Sequence, residues 1–210
     1  MAKSLIKSII TDLSLSISAK GHATLLSSGG NSPIKILNLL SMSNSLDWSC
    51  INASLIDDRM VHKNHKDSNE KILIENLAVN SAKDVNIISL CKNAEKISKL
   101  KRPFDIVLMG FGYDGHFASL FPTHIKEKNL FSSNAKPDIF LLKKQGIPKH
   151  RRITMNLSMI LRSKRIILIS SNKEKNKVIK QAKRDKKMPL YFLLNQKKTK
   201  IEILSGTKLC

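Results

Sequence analysis

Apolar residues recur at loosely helical spacing through residues 5–19, and Gly21 ends the pattern, so the chain is expected to open with a helix. Residues 23–26 then form a short apolar run typical of a buried strand. The segment S-S-G-G-N-S-P follows at once, with Pro33 where a first helical turn begins and a helical pattern over 34–40. A second strand-like run, 51–56, ends in Asp57-Asp58-Arg59. A loop rich in His, Lys and Asn leads from there to Ser68-Asn69, a capping pair for a helix through Leu77. Residues 85–88 read as a strand, 90–100 as a helix, and 106–109 as a strand that opens onto Gly110. Further on, Arg152 to Thr154 leads into a helix through Leu161. Residues 165–169 form another buried strand, which ends at the S-S-N-K-E-K start of a lysine-rich helix, and 200–204 reads as a final strand.

Strands alternating with helices imply an α/β domain whose mostly parallel sheet is covered by helices on both faces. No internal repeat, low-complexity block or long linker divides the chain, so residues 1–210 are expected to form one domain. Ligands of such sheets bind beyond the carboxyl ends of the strands. Polar clusters occupy that position four times: Gly29, Gly30, Asn31 and Ser32; Asp57, Asp58 and Arg59; residues 112–116; and residues 171–175. They are expected to converge on one site.

Composition narrows the partners. At 210 residues and 41% hydrophobic content the chain is long and apolar enough for a sizeable core. No apolar run approaches the roughly 18 residues of a membrane span. Asp12 interrupts the N-terminal apolar stretch, so no signal peptide is read. Cys50, Cys91 and Cys210 are far apart, with no C-x-x-C pair, which points to neither a zinc knuckle nor a disulfide framework and fits a reducing, cytoplasmic setting. The formal net charge of +21 favours anionic partners. Its excess lies in the C-terminal third, where most of the lysines read as decoration of solvated faces. Trp48, Tyr113 and Tyr191 are scattered and no nucleic-acid motif is present, so no specific nucleic-acid ligand is expected.

The sharpest chemistry lies in F-D-I-V-L-M-G-F-G-Y-D-G-H-F-A-S-L-F-P, residues 104–122. Gly110, Gly112 and Gly115 free the backbone after an apolar strand, and Asp114 and His116 are displayed on it. Histidine has an unperturbed pKa of about 6.5 and can take a proton from water near neutral pH. A nearby carboxylate can fix its tautomer and stabilise the imidazolium. The turn at Gly29, Gly30, Asn31 and Ser32 offers backbone N–H groups at a helix start, which suits a phosphate, although it lacks both Walker and Rossmann spacing. Lys175 lies just inside another helix start, and Arg152 can grip phosphate or carboxylate with two nitrogens. His62 and His65 stand three apart, but no metal site is expected from them.

Taken together these segments resemble the 6-phosphogluconolactonase family, within the wider sugar-phosphate isomerase/deaminase fold group. The matching motifs are S-G-G-N-S-P (28–33), D-D-R-M-V (57–61) with Ser68-Asn69, G-F-G-Y-D-G-H-F-A-S-L-F-P (110–122), R-R-I-T (151–154) and S-N-K-E-K (171–175). They span nearly the whole chain. Asp58 stands where the family usually has Glu, Phe117 where it has Thr, and Asn172 where it has a glycine; Asn and Gly both accept unusual backbone angles. The resemblance implies a modified Rossmann-like fold and hydrolysis of 6-phosphoglucono-δ-lactone, without cofactor or metal. His116 is then the base, Asp114 its orienting partner, and Asp57 and Arg59 the groups around the reacting centre. Gly29, Gly30, Asn31, Ser32, Arg152 and Lys175 are implied for the phosphate. Related glucosamine-6-phosphate deaminases continue D-G-H with G-F-N-E-P, whose Glu serves ring opening. No carboxylate stands between Phe117 and Pro122 here, which favours the lactonase. A non-catalytic sugar-phosphate sensor is the other alternative, but no room for a DNA-binding helix pair precedes Ala23. A monomer or homodimer acting on a small phosphorylated lactone is expected, away from membranes.

Overall fold

The computed structural model describes residues 2–206; Cys210 lies outside them. In chain order the elements are α1 (Ala2–Lys20), β1 (Ala23–Ser27), α2 (Ile34–Ser41), β2 (Ile51–Leu55), β3 (Asp57–Arg59), α3 (Asn69–Leu77), β4 (Asn86–Ile87), α4 (Ala94–Ser98) and β5 (Phe104–Met109). There follow α5 (Lys128–Phe131), β6 (Ile139–Gln145), β7 (His150–Met155), α6 (Leu157–Ile160), β8 (Ser163–Ser170), α7 (Lys173–Ala182), α8 (Pro189–Leu194) and β9 (Ile201–Ser205).

Six strands form a parallel sheet in the order β4-β2-β1-β5-β8-β9. Every side chain of β1 and β5 is buried, as strands covered on both faces require. Helix α1 follows its spacing: Leu5, Ile9 and Leu13 share a stripe and are buried, and the helix packs on β1 and β5. Each such side chain contributes about 1.5–3 kcal/mol by leaving water. Gly21 ends the helix with φ +77°, its amide donating to the Ile17 carbonyl at 2.8 Å. Ser16 and Lys20, on the same helix, donate to the buried carboxylate of Asp105 in β5 at 2.6 and 3.0 Å, and Lys164 adds an ion pair at 2.9 Å.

Two expectations change. Residues 90–93 run through turns, with the Asn93 amide on the Ser89 carbonyl, and only Ala94–Ser98 is helical. Asp57-Asp58-Arg59 is not the polar tail of β2 but a strand of its own: β3 pairs antiparallel with β7, and β7 with β6, in a second sheet of order β3-β7-β6. The segment 152–154 therefore belongs to a strand, and the helix after it shrinks to one turn. No residue of β6 is fully buried, so its apolar signal is diluted, and β3 meets β7 only through pairing between residues far apart in the chain.

From β1 the chain runs outward to β2 and β4; β5 then starts the other side of β1, followed by β8 and β9. The strand order therefore reverses between β1 and β5, and a crevice opens beyond their carboxyl ends. The small sheet walls that crevice.

Candidate active site

A cavity of about 250 Å³ lies there, lined among others by Gly29, Gly30, Asn31, Ser32, Asp57, Arg59, His116, Arg152 and Lys175. Of the ten residues singled out from the sequence, only Asp114 is not on the wall; it stands behind His116. The first wall is the turn between β1 and α2. Gly30 takes φ +76°, open to glycine at little cost. The Ser28 amide donates to the Leu108 carbonyl, and the Ser28 hydroxyl accepts from the Gly110 amide at 2.9 Å. These bonds stitch the β1 turn to the β5 turn. The turn runs straight into the start of α2, and a helix start beside a glycine turn suits a phosphate.

The β5 turn presents His116. Its Nδ1 is 2.6 Å from Asp114 Oδ1, and its amide donates to the same oxygen. With Nδ1 engaged, Nε2 is the nitrogen left for the cavity that the ring lines. The ring stacks on Phe121 at a centroid distance of 4.5 Å, which fixes its plane. A side chain at position 112 would collide with both the His116 ring and Asp114, so the tight loop needs glycine there. Partial burial acts against the Asp114 carboxylate, but the hydrogen bonds and charge of His116 outweigh it and hold its pKa below the ordinary value.

From the small sheet come Asp57, Arg59 and Arg152. Burial drives the Asp57 carboxyl above its usual range, against the hydroxyl of Ser119 at 2.6 Å and the positive charges of Arg59 and Arg152. Arg59 donates from Nη1 to the Asp67 carbonyl at 2.7 Å, while its buried Nε has no protein partner. Arg152 spends Nε and Nη2 on the carbonyls of Gln145 and Pro148, which leaves Nη1 uncommitted by the β6–β7 turn. Asp58 points away from the cavity and accepts the amides of Arg59, Asn69 and Glu70, so its short carboxylate caps α3. Burial raises its pKa to about 6 despite those amides.

Lys175 arrives from α7. Its Nζ lies 4.5 Å from the Phe111 ring centroid and 4.8 Å from that of Tyr113, a cation held over two aromatic faces. Burial lowers its pKa, opposed by Asp114. Asn172 has φ −153°, ordinary extended backbone, so the unusual angle expected of it is absent. It caps α7 instead: its Oδ1 accepts the Lys175 amide at 2.8 Å and its Nδ2 donates to the Tyr113 hydroxyl at 3.2 Å.

Asn69 was read from the sequence only as half of a capping pair. Its side chain is nearly fully buried on the cavity wall, Nδ2 donates to the Asp57 carbonyl at 3.0 Å, and Oδ1 has no protein partner. That amide cannot turn without losing its bond, so an acceptor is aimed into the site. A Cβ at Gly29 would strike the same oxygen, so the phosphate-type turn and Asn69 require one another. The sequence signal existed in the Ser-Asn pair, but only β3's position beside α3 shows which of the two faces the cavity.

The chain matches, over residues 1–202, the family model described as glucosamine-6-phosphate isomerases/6-phosphogluconolactonase. A Helicobacter pylori protein named 6-phosphogluconolactonase is 32% identical over 191 residues, covering 84% of this chain and 80% of that protein. A Pseudomonas putida protein of the same name is 33% identical over 171 residues, covering 76% and 69%. The crystal structure of a 6-phosphogluconolactonase from Shewanella baltica superposes with TM-score 0.86 at 32% identity, covering 97% of this chain and 92% of that one.

Proposed function

The chain belongs to the glucosamine-6-phosphate isomerase/6-phosphogluconolactonase family, and we propose that it hydrolyses 6-phosphoglucono-δ-lactone to 6-phosphogluconate, the second step of the oxidative pentose phosphate pathway. One observation carries the assignment to this cavity: an imidazole tethered to Asp114 at 2.6 Å lines the same wall as three cationic side chains and a glycine turn at a helix start.

In this reading His116 Nε2 takes a proton as a water oxygen attacks the lactone carbonyl carbon. The tetrahedral intermediate then collapses, the bond to the ring oxygen breaks, and the imidazolium returns the proton to that oxygen. Asp114 holds the ring and offsets the charge that His116 acquires, a role typically associated with a base worth about 10²–10⁴-fold in rate. Arg59 stabilises the oxyanion, with Asp57 behind it. The turn at Gly29, Gly30, Asn31 and Ser32, with Lys175 and Arg152, binds the phosphate. Asn69 Oδ1 accepts from a sugar hydroxyl, which supplies the partner that the protein does not. No metal or cofactor takes part in these steps. The same reading puts the protein in the cytoplasm, as a monomer or homodimer acting on a small diffusible substrate. Among the described residues no helix is long and apolar enough to cross a membrane.

Deamination of glucosamine 6-phosphate lacks support at the segment after His116. Phe117 is buried in the core and Ser119 is turned to Asp57, so neither position offers a carboxylate to the substrate. Hydrolysis of freshly generated 6-phosphoglucono-δ-lactone, corrected for its spontaneous rate and run beside glucosamine 6-phosphate, tests the proposal. Acceleration of the lactone alone is the expected result; turnover of the amino sugar alone, or of neither, overturns it.

A further inference from the structure

The loop between β3 and α3 meets the first residue of β7 outside the cavity, and three metal-ligating side chains meet there. One donor atom each of His65, Asp67 and His150 lies within 4.8 Å of the other two. His150 Nε2 is 2.9 Å from Asp67 Oδ2, and His65 Nδ1 is 3.7 Å from the same oxygen. The two imidazole rings stand edge to face, 5.6 Å apart. None of the three lines the cavity, and all keep partial access to solvent, so a hydrated ion can reach them.

His62, which the sequence pairs with His65, takes no part. Its Nδ1 accepts the Asn64 amide. The partners that make His65 a candidate are Asp67, two residues on, and His150, 85 positions away in the chain and brought close by β7.

We propose that His65, Asp67 and His150 bind a divalent first-row transition ion, zinc foremost, with three protein ligands and water completing the shell. The donor set decides the class. Two imidazoles and one carboxylate suit zinc, at roughly 2.0–2.2 Å from each donor. Magnesium and calcium favour shells of six or more oxygens. The three donors need only small shifts to surround one ion, and two of them sit on a loop. Coordination through His65 Nδ1 replaces the local bond that this nitrogen now accepts from the Asp67 amide at 3.1 Å.

The ion reaches the cavity through one residue. The Asp67 carbonyl holds Arg59 Nη1 at 2.7 Å, and Arg59 pairs with Arg152 across the β3–β7 ladder. Zinc therefore cross-links the loop beneath Arg59 to the strand that carries Arg152. The site itself does not depend on the lactonase reading.

The full-length protein, stripped with a chelator, is titrated with zinc by calorimetry and with Co²⁺ by visible absorption. The expected result is one equivalent bound, with the intense d–d bands of low-coordinate Co²⁺. Affinity should fall at least tenfold in His150→Ala and in Asp67→Ala and be unchanged in His62→Ala and His22→Ala. To guard against misfolded variants, Co²⁺ is also added to the wild type and the imidazole proton resonances followed; those of His65 and His150 should shift and broaden first. Absence of stoichiometric binding by the wild type, binding undiminished in folded His150→Ala, or first broadening at other histidines overturns the proposal. Metal binding and lactone hydrolysis are read separately, so failure of one does not decide the other.

Discussion

At the scale of single residues the cavity divides its polar groups by what already holds them. Nδ1 of His116 is committed to Asp114, Nδ2 of Asn69 to the Asp57 carbonyl, and two nitrogens of Arg152 to the β6–β7 turn. Each of these side chains lines the cavity, and what is left on them is one imidazole nitrogen, one acceptor oxygen and one guanidinium nitrogen. His116→Ala is expected to lower kcat by about 10²–10⁴-fold with little change in KM, the signature of a proton-transfer group. Asp114→Asn should lower kcat less severely. Steady-state rates on fresh lactone check both, and a His116→Ala enzyme with near wild-type kcat removes His116 from the mechanism. Asp58 allows a test by pH. Its folded pKa of about 6 lies above the usual carboxylate value, so between about pH 4 and pH 6 the folded state binds more protons here than the unfolded one. Its contribution to stability therefore falls as pH rises through that window, by up to about 1.4 kcal/mol per pH unit. Asp58→Asn removes the titration. Urea unfolding at several pH values should show the difference in stability between wild type and variant shifting in the variant's favour as pH rises from 4 to 6. A constant difference would show that Asp58 titrates normally.

Elements are joined by a few buried polar bonds as well as by the core. Helix α1 contributes the stripe Leu5, Ile9 and Leu13, but its rotation about its own axis is set by Ser16 and Lys20 reaching the Asp105 carboxylate on β5. The Thr24 amide of β1 donates to the same group at 2.8 Å. Asp105→Ala takes the acceptor away from the buried Thr24 amide and the Ser16 hydroxyl proton, and about 1–3 kcal/mol of stability should be lost. Chemical denaturation measures the loss, and kcat for the lactone should stay within about twofold, because no atom of this cluster lines the cavity. A variant as stable as the wild type would mean that α1 is held by apolar packing alone. The same scale explains the second sheet. Strand β3 is three residues long and carries two carboxylates and an arginine, so no local pattern marks it as a strand; its partner β7 does.

Across the whole molecule the charge of +21 surrounds a cavity that already holds Arg59, Arg152 and Lys175. A phosphorylated substrate is drawn toward such a field, and salt weakens the pull. Between about 0.01 M and about 1 M salt the screening length falls from roughly 30 Å to roughly 3 Å. The KM for the lactone should rise several-fold over that range while kcat holds, as measured by initial rates in sodium chloride. A KM indifferent to salt would assign the lysines to the solvated surface alone.

The residue order by itself determined the parallel α/β character, because buried strands read as unbroken apolar runs and the glycine turns after them restrict what can follow. The motifs at 28–33 and 104–122 likewise carry their own local geometry: Asp114 and His116 are two residues apart, and the glycines that let them meet lie beside them. Tertiary structure alone decided the rest. Strands β6 and β7 form a local hairpin, but β3 joins it by pairing Arg59 with Arg152 and Asp57 with Thr154, across nearly the whole middle of the chain, which no local periodicity encodes. Asn172 was read for its backbone and proved to act through its side chain, as a cap that steadies Tyr113 beside Lys175. The aim of Asn69 Oδ1 and the meeting of His65 and Asp67 with His150 have the same origin. A side chain's chemistry is written in its residue type, but its partner is set by which strands pair, and that is a property of the folded chain.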